Sequence, residues 1–315
     1  MNQSHSDISL ASPAILLPFA LVALIWGSTW WVITGQISDV PPGWAIVYRF
    51  ALATPAMFLV AVLMGRSLRL GRAGHILAVF IGLSQFCGNF HFVYRAELHL
   101  TSGIVAVMFG MFMLPNALFA RALLGQKVSL RFLLASAVAV AGIALLLLHE
   151  ARSSPLGGNI GLGIVLAIGG ILSASIANVV QANKTGQGLP MVSLLAFSML
   201  YGLGFDIVLA LALNGPPVFP ESAQFWAGTA YLALIGSVIT FPLYYTLVRR
   251  MGAGQAAYNA VAVVIVAMAI STMFEGYQWS LLAISGAVLA VIGMVLALRA
   301  RQSSKRGISP WRKVG

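Results

Sequence analysis

The chain has 315 residues, of which 60% are hydrophobic and 8% are charged, with a net charge of +11 and a single cysteine. A soluble domain carries roughly 25% charged residues, so this composition excludes a water-soluble globular protein and predicts a chain surrounded largely by lipid. The lone Cys87 excludes an intrachain disulfide. No Lys or Arg precedes the first apolar run, which is long for a signal peptide, and we expect it to be an uncleaved membrane span.

Ten apolar runs are each long enough to cross a bilayer, which takes about 20 helical residues. Their separators are short and contain Pro and Gly, which interrupt helices. β-strands are excluded because the runs do not alternate and are about twice the length of a barrel strand. The runs lie near 13–35, 43–64, 74–94, 101–121, 129–148, 159–181, 190–213, 225–247, 254–273 and 279–298. We therefore expect an all-α integral membrane protein with ten transmembrane helices.

The basic residues are distributed unevenly over the connections. With the N-terminus in the cytoplasm, only Arg95 and Arg152 fall on the opposite side, Arg49 lies within a span, and the rest of the 18 Lys and Arg residues are cytoplasmic. The positive-inside rule thus predicts that both termini are cytoplasmic. It also argues against nucleic acid as a partner, because the charge marks topology rather than one binding face. The acids expected on the opposite side are Asp39, Glu97, Glu150, Glu221 and Glu275.

An internal repeat divides the chain. Residues 125–147, shifted by 151, align without a gap on residues 276–298, and the matches include Gly125 with Gly276 and Gly142 with Gly293. Five spans in each half is an odd number, so the second half must enter the membrane from the side opposite to the first. Inverted repeats of this kind are found in secondary transporters. We place one five-helix repeat at 13–148, a second at 159–299 and a basic cytoplasmic tail at 300–315.

Several local motifs resemble the drug/metabolite transporter superfamily, in particular its ten-helix family with two EamA-type repeats. The motifs are Trp26-Gly27-Ser28, Pro42 followed by Arg49, Thr101-Ser102-Gly103, and Leu124-Gly125-Gln126, where the family often has Leu-Gly-Glu. The resemblance covers roughly residues 15–300. It implies a helix bundle with a central cavity that exports or exchanges small organic solutes such as amino acids, their derivatives or drugs. We expect no cofactor, and we expect no metal site because His91 has no partner ligands, whereas a zinc site needs three or four.

Two charged side chains lie well inside predicted spans, namely Arg49 and Asp206. A charge at the bilayer centre costs at least about 2.5 kcal/mol, so both are functional candidates. At helical rise they lie at similar depth, and we expect them to form an intramembrane charge pair. The functional interpretation is that Arg49 binds an anion and Asp206 a cation or proton, whereas the alternative is an architectural pair. His91 is either a hydrogen-bonded packing residue or a proton-linked group.

Polar and aromatic side chains concentrate on the helices that line the cavity in the resembling family. Amides and rings that converge on a cavity suit a solute with polar and apolar parts. The alternative is that these groups form interhelical hydrogen bonds or interfacial aromatic belts. The candidate substrate-binding residues are Trp26, Thr29, Trp30, Gln85, Asn89, Phe92, Asn116, Asn178, Thr240, Tyr244, Tyr258 and Asn259.

The favoured function is a secondary transporter that moves a small organic solute across the cytoplasmic (inner) membrane, with export expected, by alternating access between the two repeats. The alternatives are a membrane-embedded enzyme and a non-transporting receptor or assembly factor. The sequence contains no phosphate loop, metal-ligand cluster or nucleophile elbow, and we therefore do not expect an enzyme. The expected partners are the solute and membrane lipid, and the expected assembly is a monomer or weak homodimer.

Overall fold

The computed structural model describes residues 13–153, 158–251, 256 and 258–306. All regular elements in these ranges are helical. The ten long helices are α1 (Pro13–Asp39), α2 (Pro42–Leu63), α3 (Gly71–Ala96), α4 (102–124), α5 (Leu130–Ser153), α6 (Ile160–Gln181), α7 (Met191–Asn214), α8 (223–251), α9 (Asn259–Phe274) and α10 (Leu281–Arg306). A short helix, Lys184–Gly188, joins α6 to α7. The predicted basic tail lies outside the described residues from 307 onward.

The prediction of an all-helical membrane-spanning fold is confirmed. In the described part of the chain, nine helices are long and apolar enough to cross a membrane, and α9 is a shorter apolar helix. Local signals set their limits. Pro42 occupies the first position of α2, where its missing N–H is not needed. Asn159 precedes α6, and its side-chain oxygen accepts a hydrogen bond from the Leu162 N–H at 3.0 Å.

The helix limits repeat between the halves. Gly125 ends α4 with φ 65°, and its sequence counterpart Gly276 follows α9 with φ 68°. Both values are in the left-handed region that glycine adopts without a steric penalty. The aligned glycines therefore mark the same backbone turn in the two halves of the chain.

Two helices contain wide π-helical segments at corresponding places. In α3 the segment is Gly82–Asn89, and in α8 it is Tyr231–Ile239. A shift of 151 residues carries 82–89 onto 233–240, so the two segments overlap almost completely. A π segment alters the rotational position of the residues that follow it, and such segments are frequent at functional sites.

Helix α4 is interrupted after its ninth residue. Its first part is Ser102–Gly110 and its second part is Met113–Leu124. At the break, Met111 N–H donates to the Met108 carbonyl at 3.0 Å, a tighter turn than the α-helix. Pro115 follows directly; because proline has no N–H, it cannot bond the carbonyl four residues earlier. The break therefore lies where the sequence contains a proline within a predicted span.

The helices pair in a way that the repeat makes regular. Helix α5 packs extensively on α10, and α2 packs on α7. Helix α1 packs on α9, and α6 packs on α4. Helices α6 to α10 are the sequence counterparts of α1 to α5. The α1–α9 pair therefore corresponds to the α6–α4 pair, and the α5–α10 and α2–α7 pairs each correspond to themselves. The opposite orientation of the halves and the domain limits at 148 and 159 remain predictions.

The bundle has two distinct ends. One, called here the acidic end, carries the α1–α2, α3–α4, α7–α8 and α9–α10 connections. Contacts between these connections place them together; for example, Trp44 Nε1 donates to the Gly215 carbonyl at 3.3 Å. Its acids are Asp39, Glu97, Glu150, Glu221 and Glu275. The other, the basic end, carries the α2–α3, α4–α5 and α6–α7 connections. Its basic residues include Arg66, Arg69, Arg72, Arg121, Lys127 and Arg131.

Candidate functional site

Arg49 of α2 is a buried cation at the contact between the two halves of the chain. Its exposed fraction is 4%. Nε and Nη2 donate to Ser237 Oγ in α8 at 3.4 and 3.1 Å, and Nη1 donates to Tyr94 Oη in α3 at 3.3 Å. The guanidinium carbon lies 4.5 Å from the centre of the Phe90 ring, within cation–π range. Three helices therefore hold one positive charge among neutral groups.

The π segment of α8 positions the partner of Arg49. Ser237 Oγ donates to the Leu232 carbonyl at 2.9 Å, five residues earlier. Thr240 Oγ1 donates in the same way to the Ile235 carbonyl at 2.6 Å. These bonds use carbonyls in the wider π register. They leave the Ser237 oxygen directed to Arg49 and Thr240 fully buried against its own helix.

Gly236 lets α1 approach α8 beside the guanidinium. The Trp26 indole N–H donates to the Gly236 carbonyl at 3.2 Å. A Cβ atom on Gly236 would lie 3.0 Å from Thr29 Cγ2 and 3.8 Å from Arg49 Nη2. Trp26 and Thr29, both candidates from the sequence, are thus brought next to Arg49. Tyr244 joins them through Trp26, since the two rings are 5.1 Å apart.

Other predicted residues lie apart from this group or are used in packing. Asn178 donates to Asn116 Oδ1 at 3.0 Å, which joins α6 to α4. Asn259 donates to the Phe19 carbonyl at 2.7 Å, which joins α9 to α1. These bonds are the interhelical hydrogen bonds that the sequence left open as an alternative. Gln85 and Tyr258 are partly buried.

Three candidate residues have buried polar atoms without a hydrogen-bond partner, and one of these atoms is the side-chain oxygen of Asn259. Trp30 packs on Phe109 with ring centres 5.1 Å apart, and its indole N–H is unpaired. Asn89 is buried, and its side-chain oxygen is unpaired. Phe92, another candidate, is 39% exposed and packs on Gly169.

The expected direct pair between Arg49 and Asp206 is not formed. Asp206 is fully buried in α7, and its Oδ1 lies 3.2 Å from His91 Nε2 in α3. Arg49 instead contacts Ser237 and Tyr94. Different helix faces direct the two charges to different neighbours.

Arg95 completes a chain of polar contacts through His91. Arg95 Nη1 lies 2.6 Å from His91 Nδ1 and 3.2 Å from the His91 carbonyl. A guanidinium is always a donor, so Nδ1 must accept and Nε2 must carry the imidazole hydrogen. The Nε2–H edge of the imidazole lies beside the Asp206 carboxylate.

The contacts from Arg95 through His91 to Asp206 disfavour a metal at this position. Cys87, His91 and Asp206 place three ligand atoms within 4.8 Å of one another. A metal-bound histidine offers the lone pair of one nitrogen and donates the N–H of the other. Arg95 imposes the reverse arrangement on His91, since it occupies Nδ1 as a donor. The three side chains therefore fit a set of polar contacts within the protein better than a metal site.

Acidic residues at the acidic end make contacts that the sequence did not identify. Ser102 Oγ of α4 donates to Glu275 Oε2 at 2.7 Å, which joins the two halves. Thr101 N–H donates to Glu150 Oε1 at 3.0 Å. Glu97 is buried, and neither carboxylate oxygen has a hydrogen-bond partner. Burial, followed by the nearby Glu275, raises the pKa of Glu97 well above its usual range, and Arg49 lowers it in part.

The signals that would have pointed to these residues are weak. The concentration of acids on one side of the membrane was visible in the sequence, but it was explained by topology. Ser237 and Tyr94, the partners of Arg49, are polar residues in predicted cavity helices, but their positions in the sequence do not distinguish them as site residues. Only the helix contacts separate them from similar residues nearby.

The basic end contains a cavity of about 90 Å³. It lies between the end of α2, the start of α7 and the last third of α8. Its lining includes Met64, Arg66, Pro190, Met191, Pro242 and Thr246. At the acidic end, the Ser102–Glu275 hydrogen bond joins the two halves.

Comparisons with known proteins agree with this architecture. The sequence profile of the EamA-like transporter family matches residues 13–148 and 161–299. Protein PagO of Salmonella typhimurium (strain LT2) is 24% identical over 291 residues, which cover 91% of this chain and 94% of PagO. The Escherichia coli (strain K12) protein YedA, named an uncharacterized inner membrane transporter, is 29% identical over 297 residues, covering 89% and 92%.

A solved crystal structure has the same fold, with a TM-score of 0.65 at 18% identity, covering 93% of this chain and 98% of that chain. The profile match includes both halves and nearly all of the described helices. The resemblance drawn from the local motifs and the repeat is therefore confirmed: this membrane protein belongs to the EamA-like transporter family, within the drug/metabolite transporter superfamily.

Proposed function

We propose that the protein is a secondary transporter that moves a small organic solute by alternating access around a site between 13–148 and 159–299. The difference between the two ends carries this proposal. The halves are joined at the acidic end by the Ser102–Glu275 contact, while a cavity is present at the basic end. A protein that alternates between two states of similar energy needs such a contact, which can form at one end and open at the other.

The charge distribution supports a direction. The basic end carries most Lys and Arg residues, which the positive-inside rule assigns to the cytoplasm together with both termini. The cavity would then accept solute from the cytoplasm, in agreement with export. The name of YedA, an inner membrane transporter, supports the same membrane for this chain.

The group around Arg49 is the best supported candidate for the solute site. Trp26, Thr29 and Tyr244 of the predicted set are linked to it, and Ser237 and Tyr94 are added by the structure. Side chains from α1, α2, α3 and α8 meet there, so both halves contribute. A site held by both halves would change shape when they move relative to each other. No catalytic residue forms part of this proposal.

Locking the acidic end tests the mechanism. Cysteines replace Ser102 and Glu275 in a Cys87→Ser background, and a short bifunctional methanethiosulfonate joins them in proteoliposomes. The assay measures exchange of a panel of amino acids and small monocarboxylates. We expect exchange of at least one solute, its loss after crosslinking and its recovery with dithiothreitol.

The two single-cysteine variants are the controls, and the reagent should leave their exchange unchanged. Exchange that continues at the same rate in the crosslinked protein would refute alternating access at this end. A lack of exchange for every solute in the panel would count against transport of this solute class.

A further inference from the structure

We propose that Arg49 recognises a carboxylate group of the transported solute, so that the substrates of this protein are small organic monoanions or carry a carboxylate beside an apolar part. This inference rests on the proposed transport function and names the chemical class of its substrate. It begins from the observation that a buried guanidinium has no countercharge in the structure.

No carboxylate contacts Arg49 among the described residues. Its hydrogen-bond partners are the hydroxyls of Ser237 and Tyr94, which are neutral. The remaining near contact is the Phe90 ring. A buried arginine in a protein is normally paired, because leaving the charge uncompensated is strongly unfavourable. An arginine that is buried and yet unpaired therefore points to a countercharge that comes from outside the chain.

Neither Asp206 nor Glu97 pairs with Arg49 in the structure. Asp206 lies beside His91, and Arg95 is at the other side of that imidazole, so its charge is balanced within that chain of contacts. Glu97 makes no hydrogen bond to any group. Its carboxylate therefore accepts no hydrogen bond from Arg49, although Arg49 lies close enough to lower the pKa of Glu97 in part. Arg49 thus remains the unmatched charge of this region.

The guanidinium is fixed in position while part of its hydrogen-bonding capacity stays available. Its three hydrogen bonds go to only two hydroxyl oxygens. Their donor–acceptor distances of 3.1 to 3.4 Å are long for charge-assisted hydrogen bonds. Hydroxyl groups rotate easily and can instead donate to an entering anion. A carboxylate would form shorter, stronger bonds with the planar fork of the same guanidinium.

Side chains from both halves surround Arg49 closely on the α8 side. Gly236 is the α8 residue beside Nη2, and its missing side chain leaves that side to Thr29 and the Trp26 indole. The π segment that presents Gly236 and Ser237 is unusual in helices and lies here beside a buried cation. Because α1 belongs to the first half and α8 to the second, a movement of the halves would open this close contact at Gly236 and expose the guanidinium to a ligand.

The aromatic residues around Arg49 favour particular chemistry in the rest of the ligand. Phe50 and Phe90 lie at 5.6 and 4.5 Å from the guanidinium carbon. They belong to a cluster of apolar residues that also contains Phe86 and packs on Trp30. One positive charge balances one negative charge, so a monoanion fits better than a doubly charged phosphate. The apolar walls favour a hydrocarbon or aromatic portion on the same molecule.

Binding of matched acids and amides tests this inference on the purified, full-length protein. The probes are 3-phenylpropionate with 3-phenylpropionamide, and hexanoate with hexanamide, which differ within each pair in the charge. Affinity is measured by tryptophan fluorescence and by the ligand-induced shift in Tm. We expect each acid to bind the wild-type protein about tenfold or more tightly than its amide, as loss of a charged hydrogen-bond partner predicts.

Variants assign the preference to Arg49. Arg49→Gln should abolish the difference between acid and amide, and Arg49→Lys should retain part of it because the charge remains. Arg152→Gln, which removes an exposed arginine, is the matched control and should leave the preference unchanged. If Arg49→Gln does not fold, the wild-type and Arg49→Lys comparison still decides.

Equal affinity for acid and amide in the wild type, or no binding of either acid, would overturn the inference. So would an undiminished acid preference in Arg49→Gln. These outcomes are separate from the crosslinking result. If the protein prefers acids through Arg49 but still exchanges solute when crosslinked, alternating access is refuted and the anion site stands. If crosslinking stops exchange but acid and amide bind equally, transport stands and the anion site is refuted.

Discussion

Gly142 of α5 packs directly on the backbone nitrogen of Ala290 in α10, and the same contact recurs with the partners exchanged. A Cβ atom on Gly142 would overlap that nitrogen, and a Cβ atom on Gly293 would overlap the backbone nitrogen of Ala139. A shift of 151 residues carries Gly142 onto Gly293 and Ala139 onto Ala290. Reciprocal contacts of this kind are what a two-fold relation between the halves requires.

Enlarging Gly142 should therefore destabilise the bundle. In Gly142→Leu the new side chain has no space between two backbones, and overpacking costs about 1–3 kcal/mol or more. The variant should show a lower Tm in detergent. Gly204→Leu is the control, since nothing lies within 4 Å of a Cβ atom at this exposed position of α7. A Tm that falls equally in both variants would contradict the close packing of α5 on α10.

The orientation in the membrane is tested by thiol labelling. In a Cys87→Ser background, Glu221→Cys reports on the acidic end and Lys127→Cys on the basic end; both positions are exposed. An impermeant maleimide should label residue 221 in intact cells and residue 127 only after permeabilisation, because the basic end is expected in the cytoplasm. Glu150 is unsuitable as a reporter because it is buried. Labelling of residue 127 alone in intact cells would reverse the assigned topology.

Replacement of Asp206 should reduce stability and leave the pH dependence of flux unchanged. Asp206→Asn removes the carboxylate beside His91 and leaves Arg95 without its balancing charge. Loss of a buried polar partner costs about 1–3 kcal/mol, seen as a lower Tm and a lower folded yield. Asp39→Asn makes the same chemical change at an exposed position and should have little effect. Normal folding combined with loss of the response to an imposed pH gradient would instead make Asp206 the proton-linked group.

Glu97 should make the folded protein less stable as pH rises. Burial and Glu275 raise its pKa well above the usual range in the folded protein, with Arg49 opposing in part. The folded state therefore binds a proton that the unfolded state has released above its ordinary pKa. Stability is complete below that ordinary pKa and falls as pH rises toward the raised value.

Thermal unfolding between pH 5 and 8 measures this effect. Glu97→Gln should show a smaller decrease in Tm over this range than the wild type, because glutamine does not titrate. Glu221→Gln is the control, since Glu221 is exposed. Identical pH dependence of Tm in the wild type and Glu97→Gln would show that Glu97 does not carry a raised pKa in the folded protein.

The amino-acid sequence by itself determined the helices and their repetition. In lipid, every backbone hydrogen bond must be made within the segment, so an apolar run of sufficient length has one available structure. The predicted run at 159–181 and the observed helix Ile160–Gln181 nearly coincide for this reason. The aligned glycines Gly125 and Gly276 likewise take the same left-handed conformation, because a local turn requires it.

Only the tertiary structure decided which polar groups meet. Residue spacing gave the depth of Arg49 and Asp206 but not the direction in which each helix face points. Asp206 lies beside His91, and Arg49 lies beside Ser237, because helix packing and the π segments of α3 and α8 set the rotation of each helix. Such rotation depends on contacts between residues far apart in the chain, and no local pattern in the sequence records it.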